Sequence, residues 1–117
     1  MLIVDDEPKI CECLKTFFTS RGFAADSALS GQEAIEWLME HPADVILLDI
    51  RLPDMAGTDV LKRAKELCPE AKVVMVTALD EDERRIEAQV YGACGYVTKP
   101  FDLSDATWDA VLDLDDP

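Results

Sequence analysis

Val45-Ile46-Leu47-Leu48-Asp49-Ile50-Arg51-Leu52-Pro53-Asp54-Met55-Ala56-Gly57 is the stretch on which the fold turns. Its four leading apolar residues, two of them β-branched, read as a strand buried on both faces, as parallel strands are. Asp49 follows that run directly, and Pro53 and Gly57 mark a loop before the next helical pattern. In open α/β sheets chemistry gathers beyond the carboxyl ends of the strands, so Asp49 stands where a nucleophile or metal ligand is expected.

The same alternation extends outward on both sides. Toward the N-terminus, Ser30-Gly31-Gln32-Glu33 has the form of a capping box, with Ser30 as cap and Glu33 reaching back. Ile35, Leu38 and Met39 give that helix a buried stripe, and His41-Pro42 ends it. Phe23 to Ala28 reads as a weaker strand. Leu2-Ile3-Val4 is a short buried strand running into Asp5-Asp6-Glu7, after which Pro8 suits the first turn of a helix. Ile10, Leu14, Phe17 and Phe18 form its stripe and Gly22 closes it.

Toward the C-terminus, a helix carries Val60, Leu61, Ala64 and Leu67 and stops at Pro69. Val73-Val74-Met75-Val76 is another apolar strand, and it delivers Thr77 to the same edge as Asp49. Asp80 to Glu83 load the next helix's first turn with acids, matching its dipole, with Ile86 and Val90 facing inward and Gly92 at the end. Tyr96-Val97 predicts a fifth strand before Thr98, Lys99 and Pro100. A last helix places Leu103, Ala106, Ala110 and Leu114 on one stripe. Five strand–helix repeats predict a doubly wound α/β fold: one parallel sheet, right-handed crossovers and helices on both faces, a three-layer sandwich over residues 1–117.

Bulk properties narrow the functions. The chain has 117 residues with 25 acids against 11 bases, a net charge of −14. That field repels nucleic acid and anionic membranes and attracts cations or basic partner surfaces. No apolar run approaches the length of a membrane span. The opening Met1-Leu2-Ile3-Val4 is too short for a signal sequence, so a cytoplasmic location is expected. Cys11, Cys13, Cys68 and Cys94 lack paired metal-ligand spacing and read as reduced thiols, some filling core space.

Chemically pointed residues follow successive strands: Asp5 and Asp6 after the first, Asp49 after the third, Thr77 after the fourth and Lys99 after the fifth. Three carboxylates about 4 Å apart would repel by roughly 4 kcal/mol per pair at an effective dielectric of 20. Lys99 and a hard divalent cation would offset this, and Mg²⁺ suits carboxylates that also expect phosphate oxygens. A single aspartate after a strand is ordinarily a turn residue or helix cap. Their joint placement points instead to phosphoryl transfer through an aspartate nucleophile.

The sequence also resembles the receiver domain of two-component response regulators over nearly its whole length. The resemblance rests on Leu2-Ile3-Val4-Asp5-Asp6-Glu7, on Leu48 through Gly57, on Val76-Thr77-Ala78 and on Gly92 through Phe101. It implies a flavodoxin-like strand order of 2-1-3-4-5. It implies that Asp49 accepts a phosphoryl group from a phosphohistidine on a sensor histidine kinase or histidine phosphotransfer protein. Asp6, Asp49 and the backbone carbonyl of Arg51 would ligate Mg²⁺ (or Mn²⁺), and Asp5 would hold a coordinated water. Lys99 would pair with Asp49 and then with the phosphoryl oxygens. Thr77 and Tyr96 would act as switch residues, reporting to the surface of the fourth helix, fifth strand and fifth helix. A cis bond from Lys99 to Pro100 is implied as well. Such a domain promotes its own phosphorylation and dephosphorylation without being a turnover enzyme.

Asp102, Asp105, Asp109 and Asp113 lie near one stripe of the last helix with no Lys or Arg after Lys99, which is unlike many receivers. A homodimer pairing Arg84 and Arg85 with Asp105 or Asp109, a partner met by Trp108, and a C-terminal output domain all stay open. The resemblance implies that Arg51 and Leu79, two residues past Asp49 and Thr77, would border the path of hydrolytic water. A hydrolase of the haloacid-dehalogenase type would also use a strand-end aspartate, but it needs a second acid two residues on, where Arg51 stands.

Overall fold

Apolar runs of strand length alternate with amphipathic runs of helix length, and the chain folds accordingly. The computed structural model describes residues 1–77 and 82–98. In order these form β1 (Leu2–Val4), α1 (Pro8–Ser20), β2 (Asp26–Ala28), α2 (Gly31–Glu40), β3 (Val45–Asp49), α3 (Gly57–Leu67), β4 (Lys72–Thr77), α4 (Asp82–Val90) and β5 (Gly95–Thr98). The strands make one five-stranded sheet in the order β2-β1-β3-β4-β5, each pair parallel. This is the doubly wound, flavodoxin-like arrangement implied by the resemblance. The expected last helix, with Lys99, Pro100 and Trp108, lies outside the described residues, as does Leu79.

Strand residues alternate between two cores because successive side chains leave opposite faces of a sheet. Leu2, Val4, Ile46, Leu48, Val73 and Met75 pack with Ala34 and Leu38 of α2, Val60, Leu61 and Ala64 of α3, and Ala88 of α4. Ile3, Val45, Leu47, Val74 and Val97 pack on the other side with Cys11, Leu14 and Phe18 of α1. Leu47 and Leu48, adjacent in sequence and both 0% exposed, therefore feed different layers. Each such buried side chain contributes on the order of 2 kcal/mol. No helix among the described residues is long and apolar enough to cross a membrane.

The helix ends follow local chemistry. Ser30 Oγ accepts the Glu33 N–H at 3.1 Å and caps α2, which is the Ser30 half of the expected capping box. His41 caps the other end, its N–H bonded to the Trp37 carbonyl at 2.9 Å and its ring stacked on Trp37 at 4.7 Å. After α1, Gly22 takes φ +93°, its N–H reaches Thr19 O at 3.1 Å, and the Phe23 N–H reaches Phe18 O at 3.0 Å. That is a Schellman ending, and Phe23 adds its customary apolar contact, ring to ring with Phe18 at 5.6 Å. Gly92, at φ +105°, ends α4 by the same two bonds.

Three sequence expectations need correction. The second strand is Asp26–Ala28 rather than Phe23–Ala28, because Phe23 is spent on the end of α1. Met39 is 62% exposed and does not share the buried stripe of α2. One residue past Leu38, it is turned about 100° from the face that meets the sheet. Ile86 and Val90 are 65% and 76% exposed, while Ala88 is fully buried. Residues four apart share a face, but α4 meets α3 and β4 through the small side chain, leaving its large apolar pair outside.

Candidate functional site

Strand order and register build the site. β1 lies against β3 with Val4 opposite Leu48, so the residues that follow, Asp5 and Asp49, leave the sheet side by side. Carboxylate oxygens of Asp5, Asp6 and Asp49 come within 4.8 Å of one another. Asp5 is 2% exposed and Asp49 7%, whereas Asp6 faces solvent. At that separation each pair of charges repels by about 3.5 kcal/mol at an effective dielectric of 20. Three hard oxygen donors, two of them buried and one open to solvent, fit a divalent cation of the Mg²⁺ kind.

The backbone pins these carboxylates. The Asp5 N–H donates to Ala28 O at 3.1 Å, and Asp5 Oδ1 accepts the Glu7 N–H at 2.9 Å. Its carbonyl accepts the Cys11 thiol at 3.3 Å. Burial first, and the charge of Asp5 second, push the Cys11 thiol up to about 11, so it stays protonated and remains a donor. Asp49 Oδ1 accepts the Arg51 N–H at 3.0 Å, turning the chain sharply after β3.

The loop after Asp49 is closed at its base. The Ile50 N–H continues the sheet to Val76 O at 3.1 Å, and Ile50 O accepts the Gly57 N–H at 2.7 Å. An antiparallel bridge joins Arg51 to Ala56 just outside. This closure leaves no room for a side chain at the start of α3. A Cβ on Gly57 would fall against Asp49 O, 2.6 Å from Ile50 Cα and 2.8 Å from Ile50 O. The glycine at the end of the opening motif is there for close approach.

The far side of the loop is tied to another helix. Asp54 Oδ1 accepts the Gly31 N–H at 2.9 Å, and Oδ2 accepts the Gln32 N–H at 2.8 Å. Those two amides hold the Asp54 carboxyl below its ordinary value, the Gln32 bond most strongly. Asp54 is thus a second cap on α2, contributed from 22 to 23 residues away.

Of the residues singled out in the sequence, Asp5, Asp6 and Asp49 are brought together, and Arg51 is tied to Asp49 by its amide. Thr77 ends β4, one residue beyond Val76, which pairs with Asp49. Tyr96 pairs with Met75 on the next strand out and packs half-buried against the α2–α4 side of the core. Lys99 lies outside the described residues. Asp54, Cys11 and the Glu7 amide have no place in the sequence reading of the site. Asp54 offers only the weak signal of an acid beside a proline in a turn, the Glu7 amide belongs to the main chain, and the Cys11 thiol reaches a main-chain carbonyl.

Residues 1–108 match the family model described as response regulator receiver domain. The transcriptional regulatory protein KdpE of Mycobacterium tuberculosis is 38% identical over 105 residues, covering 90% of this chain and 46% of that protein. The regulatory protein AtoC of Escherichia coli is 39% identical over the same length, covering 90% of this chain and 23% of AtoC. The chain thus spans less than half the length of these curated relatives. A CheY-like receiver domain protein from Methanospirillum hungatei superposes with a TM-score of 0.89 at 32% identity, covering 97% of this chain and 91% of that one.

Proposed function

The chain belongs to the response regulator receiver family, and from that premise we propose that Asp49 is its phosphoacceptor, loaded from a phosphohistidine on a sensor histidine kinase or histidine phosphotransfer protein. One observation carries the reading. Three carboxylates from two neighbouring strand ends converge within 4.8 Å, with Asp49 buried at 7% exposure. A carboxylate oxygen of Asp49 attacks phosphorus, the bond from phosphorus to the histidine nitrogen breaks, and an acyl phosphate results.

Asp6, Asp49 and the Arg51 carbonyl are the residues that would hold Mg²⁺ (or Mn²⁺), with Asp5 gripping a coordinated water. When bound, the ion supplies positive charge against the phosphoryl oxygens, the main requirement of such a transfer. The chain's own part is positioning. The Arg51 amide orients the Asp49 carboxylate, and the Glu7 amide and Cys11 thiol hold Asp5 beside it. Lys99 pairs with the added oxygens, while Thr77 and Tyr96 relay the change to the surface around α4 and β5.

On this reading residues 1–117 form one receiver domain, working in the cytoplasm as a signalling switch that catalyses only its own loading and unloading. Its output goes to a partner segment or a second copy, and not to nucleic acid or membrane directly, given a net charge of −14. The test is labelling by acetyl phosphate with and without Mg²⁺. The parent chain takes up one phosphoryl group only when Mg²⁺ is present, and Asp49→Asn takes up none. Undiminished labelling of Asp49→Asn refutes the assignment.

A further inference from the structure

We propose that Asp54 is a positioning residue for the metal site: by clamping the loop after β3 onto the start of α2, it holds the Arg51 carbonyl where a divalent cation needs it. The inference rests on the reading of Asp49 and its loop given above. A chain segment of six residues, 51–56, carries one expected ligand, and connecting segments move more than the elements they join. At its base it is held by the Arg51–Ala56 bridge and by the Gly57 bond to Ile50 O. Those contacts fix where the loop begins and ends, and between them Leu52 and Met55 pack half-buried against the core.

Asp54 adds a tie from outside. Both Asp54 oxygens are engaged by successive amides of α2, at 2.9 and 2.8 Å. Charge-assisted bonds at a helix N-terminus are among the stronger hydrogen bonds, and the helix dipole favours the carboxylate. Next door, the two segments touch. A Cβ added to Gly31 would lie 2.5 Å from Met55 Cγ, 2.7 Å from its sulfur and 2.9 Å from Val60 Cγ2. α2 is itself seated on the sheet through Ala34 and Leu38, at 0% and 4% exposure. The loop is therefore fastened to a rigid element, three residues from the expected ligand.

A purely structural role, capping α2 and nothing more, is separable by a control within the same helix. Ser30 caps α2 through the Glu33 N–H but has no bond to Asp54. Ser30→Ala removes that cap and leaves the clamp. The experiment titrates each full chain with Mn²⁺ alone, following the free-ion EPR signal, beside thermal melts in chelator that verify folding.

Asp54→Ala is expected to weaken Mn²⁺ binding about tenfold, the lower end of what losing a supporting partner costs a metal site. Asp54→Asn keeps one acceptor oxygen and is expected to weaken it about threefold. Ser30→Ala is expected to bind as the parent does. Should Asp54→Ala be too unstable to titrate, Asp54→Asn carries the comparison. Parent-like binding by the Asp54 variants, or an equal loss in Ser30→Ala, overturns this inference alone. A parent chain that binds no Mn²⁺ overturns the reading of the site and this inference with it.

Discussion

Gly57→Ala puts the geometry of the site under the most direct strain. The new methyl group would meet Asp49 O and lie 2.6 Å from Ile50 Cα and 2.8 Å from Ile50 O. Carbon atoms rest at about 3.5–4.0 Å, so the overlap is about 1 Å against main chain. None of these atoms belongs to a side chain that could swing aside. Ile50 is 0% exposed and its N–H is bonded to Val76 O at 3.1 Å, so relief must move the end of β3 itself. Overpacking typically costs 1–3 kcal/mol, and three close contacts with main-chain atoms put the loss at about 3 kcal/mol.

Urea unfolding followed by far-UV circular dichroism measures it. With a slope of about 1.5 kcal/mol per molar, the midpoint should fall by about 2 M. Gly22→Ala is the counterpart. Its φ is +93° but nothing lies within 4 Å of the added Cβ, so only the left-handed backbone penalty of about 1 kcal/mol applies. Its midpoint should fall by about 0.7 M. Because the displaced backbone carries Asp49, acetyl phosphate labelling of Gly57→Ala should fall too, while Gly22→Ala labels normally. A Gly57→Ala midpoint within about 0.3 M of the parent, or above that of Gly22→Ala, refutes the steric argument.

At mildly alkaline pH, iodoacetamide should modify the exposed Cys13 and Cys94 first, while Cys11, buried and held near 11, reacts only after denaturant is added; equal rates would contradict its placement. Asp54→Ala should destabilise the chain by about 1 kcal/mol at neutral pH, as the loss of a helix cap does. Since the folded pKa of Asp54 lies below the ordinary 3.8, this contribution is whole above that value and disappears as pH falls through the folded one. Melting temperatures of parent and variant should therefore converge in acid, and a constant gap would speak against the bond. Mg²⁺ at a hundred times its dissociation constant should stabilise the parent by about 2.7 kcal/mol, and Asp6→Ala should lose most of that gain in thermal melts.

The alternation of apolar strand runs with helical stripes was legible because each is a local property of backbone geometry. Val45 through Leu48 and Val73 through Val76 could be placed from their own residues, as could the ends at Gly22, Ser30 and Gly92. Periodicity shows which residues share a face without showing what covers it. Ile86 and Val90 illustrate the gap, since the choice of Ala88 as the contact depends on how closely α3 and β4 approach. Phe23 illustrates another, a strand-like residue claimed by the helix end before it.

The candidate site divides in the same way. An acid directly after a buried strand is marked for the carboxyl edge of the sheet by the sequence alone, and Asp5, Asp6 and Asp49 were so marked. Their separation was not, because it depends on β1 lying beside β3 in a register that sets Val4 against Leu48. Nor was the tie between Asp54 and the amides of Gly31 and Gln32, which joins groups 22 to 23 residues apart. Chain order determines what each strand carries to its end. Which ends meet, and what holds the loops between them, is decided only when distant segments compete for the same hydrogen bonds and the same space.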